Sequence, residues 1–172
     1  MRAGHSGRCG VESHLTNRSI RPMIQPTSIR FGGEVQEPMA QPLRQAAVIP
    51  VADGRVCLVT SSSGRRWVVP KGMIDEGHTA GEAALTEAWE EAGLVGVLSQ
   101  EPVGSYIYEK YGRPHHVLVF VLHVSTTADE WPERDVRTRE WVDPNEAIER
   151  MDEQGLKEIM EAVFRSVVGA TA

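Results

Sequence analysis

Three glutamates, Glu87, Glu90 and Glu91, are the residues whose type and spacing most readily do chemistry. On a helix, positions i, i+3 and i+4 share one face, so these carboxylates are drawn together. Like charges crowded in that way repel unless a cation sits among them. Hard oxygen donors suit Mg²⁺ or Mn²⁺, ions that also bind phosphate oxygens. Taken alone, Glu-x-x-Glu-Glu reads as a solvated acidic helix face, so its surroundings carry the weight. The two cysteines, Cys9 and Cys57, have neither metal nor disulfide spacing, which makes a reducing cytoplasm the expected location. His5, Cys9 and His14 are placed too irregularly for a zinc site.

The glutamates need a helix, and its limits are marked. Thr79 and Glu82 have capping-box spacing, Leu85, Ala88, Trp89 and Ala92 form an apolar stripe, and Gly93 suits a left-handed C-terminal cap. That stripe is expected to be buried, with the acidic face opposite or beside it. Lys71 to His78 reads as the loop leading in. Upstream, Ala46–Val51 and Arg55–Thr60 read as strands joined through Asp53-Gly54, and Arg65–Val69 as a short strand stopped by Pro70. Downstream, strands are expected at about Val103–Tyr111 and Val117–Val124, joined through Gly112-Arg113-Pro114, and at Arg137–Val142. Asp143, Pro144 and Glu146 start a second helix, and a last helix is expected from about Asp152 to Val168. Trp67, Trp89 and Trp141 are assigned to the core. Strands on both sides of a central helix imply a compact α+β fold with a mixed sheet.

The 172 residues suffice for one domain, and no apolar run is long enough to span a membrane. A formal charge of −6 argues against general nucleic-acid binding. Residues 1–42 carry five arginines and three acids with no sustained periodicity, and are expected to be a disordered tail ahead of a domain over 43–170. That segment has neither a convincing amphipathic targeting helix nor a secretory apolar core.

The 23 residues from Gly72 to Leu94 resemble the Nudix box. Gly72, Glu87, Ala88, Glu90, Glu91, Gly93 and Leu94 fall at matching positions, with Pro70-Lys71-Gly72 as lead-in. His78 and Thr86 stand where the box has a Glu and an Arg that brace the loop–helix geometry. Losing both removes the pair without stranding a charge. The resemblance covers residues 44–150 and is nearest the diphosphoinositol polyphosphate phosphohydrolase branch, which also cleaves dinucleoside polyphosphates. Val59 to Ser63 ahead of Arg66 to Pro70, Asp129-Glu130-Trp131, and Arg137 to Trp141 support it.

This resemblance implies an α/β/α sandwich with a mixed β-sheet and a catalytic loop–helix. It further implies Mg²⁺ (or Mn²⁺) held by Glu87, Glu91 and the Gly72 carbonyl, with Glu90 as general base. Phosphate contacts would come from Ser61, Ser62, Arg113, His115 and Arg137. Arg65 joins them from the hydroxyl- and Arg-rich tip at 61–66, and Lys71 adds a charge beside the box. His115 and His116 alternate along a strand, so at most one faces a ligand. The expected activity is Mg²⁺-dependent cleavage of a phosphoanhydride in a highly phosphorylated small molecule, by a monomer or homodimer. A nucleotide or capped-RNA pyrophosphohydrolase, and a Nudix-fold module that senses a ligand without cleaving it, are the alternatives.

Overall fold

The computed structural model describes residues 41–169. The expectations for the tail, and for His5, Cys9 and His14, lie outside them. Strand β1 (Leu43–Ala52) turns into β2 (Arg55–Thr60) through Asp53 and Gly54, both at positive φ, the twist a two-residue hairpin requires. The short strands β3 (Trp67–Val68) and β4 (Lys71–Met73) follow, and then helix α1 (Ala80–Ala92). Next come β5 (Leu94–Leu98), β6 (Gly104–Lys110), β7 (Arg113–Thr127) and β8 (Arg139–Val142). Helices α2 (Pro144–Arg150) and α3 (Gln154–Gly169) complete the described chain. The strands form one mixed sheet: β1 runs parallel to β7, from Leu43 opposite His115 to Val51 opposite His123, and every other pairing is antiparallel.

Alternation along β1 divides the core between the two faces of the sheet. Ala46 and Val48 point to one face and pack with Cys57, Phe120 and Leu122 against Ala83, Ala84 and Ala88 of α1. Ala47 and Ile49 point to the other and pack with Leu58, Val117 and Val119 against Ala147, Leu156 and Met160 of α2 and α3. Helices therefore cover both faces of an α+β sandwich. No helix among the described residues is long and apolar enough to cross a membrane.

Several elements differ from expectation. Residues 71–73, expected within a loop, form β4 because they pair with Gln45, Ala46 and Ala47 of β1. β5 escaped the sequence reading because Gly96 interrupts a short apolar run. That glycine sits at a register shift, where a Cβ would fall 2.1 Å from the His123 carbonyl oxygen.

The buried stripe of α1 is also rotated from the one expected. Ala83, Ala84, Ala88, Glu91 and Ala92 are inside, whereas Leu85 and Trp89 are 40% and 41% exposed. Alanines let the helix sit close to the sheet, which the larger pair would prevent. The same rotation carries Glu91 into the interface with β4. Trp89 is thus not a core residue; Trp67 and Trp141 are half-buried against the two cores.

Candidate active site

Helix α1 begins with a complete capping box. The Glu82 amide donates to Thr79 Oγ1 at 3.2 Å, and the Thr79 amide donates to Glu82 Oε2 at 2.8 Å. The first helical turn is thereby held by contacts within four residues of sequence. One turn on, Glu87 meets β4. A Cβ built on Gly72 would fall 1.8 Å from Glu87 Oε1, so the carboxylate occupies the space that any other residue would fill. Glu91 is buried, and its Oε2 accepts the Lys71 amide at 3.1 Å. Burial raises the pKa of both carboxyls to about 7. Neighbouring carboxylates add to the rise, and Arg137 opposes it. Glu90 is exposed on the flank of the same turn.

The segment between β7 and β8 closes over this turn. Arg137 pairs with Glu91 and with Glu133, and donates to the Thr60 carbonyl oxygen at 2.8 Å. The Glu133 amide donates to the Glu90 carbonyl at 3.0 Å, and the Ala128 amide to the Gly93 carbonyl at 2.9 Å. Arg139 Nη1 donates to the Ala92 carbonyl at 2.6 Å and to the Ala128 carbonyl at 3.0 Å. Its guanidinium lies 4.3 Å from the centre of the Trp131 ring.

The remaining candidate residues divide by sheet face. Lys71 precedes Gly72 on β4, so its side chain points away from the glutamates, and its Nζ lies 5.6 Å from the Tyr108 ring centre. Burial lowers the Lys71 pKa, opposed by Glu153 and Glu91. His115 is buried, stacks on Tyr108 with ring centres 4.9 Å apart, and holds Nδ1 3.0 Å from the Arg113 carbonyl. Tyr108 in turn donates to Gln45 Oε1 at 2.8 Å. Ser61, Ser62 and Arg65 sit on the β2–β3 tip, where the Ser61 and Ser63 hydroxyls are 3.1 Å apart. Arg113, exposed, opens β7. The fold thus gathers Gly72, Glu87, Glu91 and Arg137 on the α1 side, and Lys71 and His115 behind them. Cys57 is a buried thiol pushed up to about 12 by burial, which keeps it protonated and unreactive.

Residues 42–163 match the family model of the NUDIX domain. This chain belongs to the Nudix family. It is 36% identical over 110 residues to Nudix hydrolase 4 of Arabidopsis thaliana, covering 63% of this chain and 53% of that protein. It is also 35% identical over 99 residues to diphosphoinositol polyphosphate phosphohydrolase 2 of Mus musculus, covering 56% of this chain and 54% of that one. The chain therefore spans about half the length of these curated relatives. Other relatives carry the names chloroplastic and mitochondrial, so kinship does not favour the cytoplasm. In fold, a C. elegans Ap4A hydrolase superposes with a TM-score of 0.61 at 19% identity, over 73% of this chain and 98% of that one.

Among the described residues of this Nudix chain, no three His, Cys, Asp or Glu side chains converge as a ready-made metal cage. Buried Glu91 and half-buried Glu87, the latter cradled against the Gly72 backbone, form a hard-oxygen donor set that fits a divalent cation. Glu133, Trp131 and Arg139 are site residues that sequence reasoning did not assign. Trp131 and Arg139 had surfaced only within short family-like segments, because nothing local says that they reach the end of α1.

Proposed function

We propose that this Nudix chain hydrolyses a phosphoanhydride bond in a highly phosphorylated small molecule, a diphosphoinositol polyphosphate or a dinucleoside polyphosphate. The observation that carries the reading is Glu87 held against Gly72, with Glu91 one turn on, held by the Lys71 amide and Arg137. The name of the mouse relative supports the substrate class. Glu87, Glu91 and the Gly72 carbonyl would hold Mg²⁺, or Mn²⁺ in its stead. When bound, the ion supplies charge neutralisation on the phosphates and a more acidic water. Glu90, exposed beside the metal face, accepts the proton of the water that attacks phosphorus. Ser61, Ser62, Arg65, Arg113 and Arg137 orient the phosphate chain and offset the charge that develops on it, whereas Lys71 and His115 face the other side of the sheet, against Tyr108. The cytoplasm is the proposed location, and fractionation of cells expressing the full chain tests it.

A nucleotide or capped-RNA substrate is the second reading, favoured by how many cations are already matched. Arg137 is paired with Glu91 and Glu133, and Arg66 lies within 4 Å of Asp152 and Glu153. Among the described residues near the site, a hexakisphosphate-like ligand would meet few cations free of an ion pair, chiefly Arg65, Lys110 and Arg113, with Lys71 turned to the Tyr108 ring. Purified protein screened on diphosphoinositol polyphosphates, dinucleoside polyphosphates, nucleoside triphosphates and capped RNA, with and without Mg²⁺, decides between them. Turnover that tracks phosphate number supports the first, and turnover that tracks the base supports the second. Tight binding without metal-dependent turnover indicates a sensing module instead. Glu90→Gln and Glu91→Gln are expected to fold and to lose Mg²⁺-dependent hydrolysis; full activity in both would sink the assignment.

A further inference from the structure

We infer that Arg139 and Trp131 are positioning residues that set the last turn of α1, and with it Glu90 and Glu91, from the segment Ala128–Arg139. The inference rests on the metal face proposed above.

Helix α1 has no basic residue in its last turn, so its final carbonyls lack the cation that usually complements them. Arg139 supplies it from a different strand. One guanidinium nitrogen takes the carbonyl of Ala92 at the helix end and the carbonyl of Ala128 at the start of the segment, tying the two together. The guanidinium does this while its carbon sits over the Trp131 ring, 4.3 Å from the centre, so the indole face supports it. Gly93 is part of the fit. It sits at φ 62°, and a Cβ there would fall 2.8 Å from Trp131 Cβ, so the indole is packed directly on the helix cap.

The tied segment then touches the acidic turn twice more, through the Glu133 amide on the Glu90 carbonyl and through Arg137 on Glu91. β4 meets the same turn from the other side, through the Lys71 amide on Glu91, but does not reach the carbonyls at the helix end. His78 and Thr86 are exposed and have no side-chain hydrogen bond or ion pair among the described residues. The indole Nε1 is buried without a partner, so the ring serves through its face and not its N–H group.

The test is Mn²⁺ affinity of the full chain, read from the free-ion electron paramagnetic resonance signal, alongside the thermal midpoint. Arg139→Met is expected to weaken Mn²⁺ binding about tenfold, as loss of a group that orients a ligand does, and to lower kcat more than it raises KM. Arg139→Lys should recover part of the loss, because a point cation reaches a carbonyl but cannot fork and stack. Trp131→Phe keeps an aromatic face and should bind like wild type, whereas Trp131→Leu should resemble Arg139→Met. Arg134→Met removes an exposed charge paired with Glu130 in the same segment and should change neither reading.

If Arg139→Met does not fold, Arg139→Lys and Trp131→Leu carry the comparison. Lower thermal midpoints with wild-type Mn²⁺ affinity in the Arg139 and Trp131 variants would make the contact purely structural and overturn the inference. Glu87→Gln and Glu91→Gln locate any failure. If they abolish binding while the Arg139 and Trp131 variants do not, only the positioning role falls. If they too leave Mn²⁺ affinity unchanged, the metal face is wrong and both readings fall.

Discussion

The two ends of helix α1 are held by opposite means. At the N-terminal end, Thr79 and Glu82 satisfy each other's backbone amides within four residues, so the cap is a local device. At the C-terminal end, the Gly93 amide closes a local cap on Trp89, but the further partners of Glu90, Glu91, Ala92 and Gly93 come from distant residues, Lys71 on one side and 128–139 on the other. The carboxylates proposed to hold the metal and the water lie towards the second end. A helix can be started by its own sequence, but the direction of its last turn is set by what packs on it. Chemistry that needs two carboxylates at one point is more sensitive to the second.

Predictions follow that contrast, the largest effect first. Gly72→Ala places a methyl in the space of the Glu87 carboxylate. Those atoms are the tip of a flexible side chain, so the variant should fold with a near-native thermal midpoint. Divalent-metal affinity and turnover should fall by about ten- to a hundredfold, read by Mn²⁺ titration and initial rates. A variant with native metal affinity would place the ion away from β4.

Gly93→Ala strains the C-terminal end twice, through its left-handed backbone and through Trp131. Urea denaturation should show a loss of at least about 1–2 kcal/mol, the cost of that backbone alone. Thr79→Ala, at the locally coded end, should cost about 1 kcal/mol in the same assay and leave metal affinity untouched. If the two ends are independent, the double variant should match the sum within roughly 0.5 kcal/mol. A large coupling would show that the cap also steers the acidic turn.

The smallest effect is expected where the box departs from the family pattern. His78→Glu with Thr86→Arg restores the ion pair on an exposed surface. A double-mutant cycle should give a coupling of about 0–1 kcal/mol. A stronger coupling together with higher turnover would mean that the natural pair of substitutions weakens the enzyme.

The helix limits, the Asp53-Gly54 hairpin and the second helix start were legible because each depends on neighbours in sequence: a cap, a turn, a proline. Even there, Asp143 accepts from the Asn145 amide at 2.9 Å, while Glu146 turns to Arg150 instead of completing a capping box. Strands β4 and β5 were not legible. Three residues, or five broken by a glycine, carry no period of their own and become strands only by pairing with β1 and β7.

Position along the helix made Glu87, Glu90 and Glu91 candidates, and spacing put them on one side. Sequence could not say which of them would be buried, because Leu85 and Trp89 offered a more apolar face than the alanines did. Packing chose the alanines, since only small side chains let α1 approach the sheet closely enough for Glu87 to reach Gly72. Sequence alone therefore determined the family pattern, the start of helix α1 and the identity of its acids. The tertiary structure decided their order of burial and the partners Arg137, Glu133, Arg139 and Trp131, because contacts between distant segments leave no local periodicity to read.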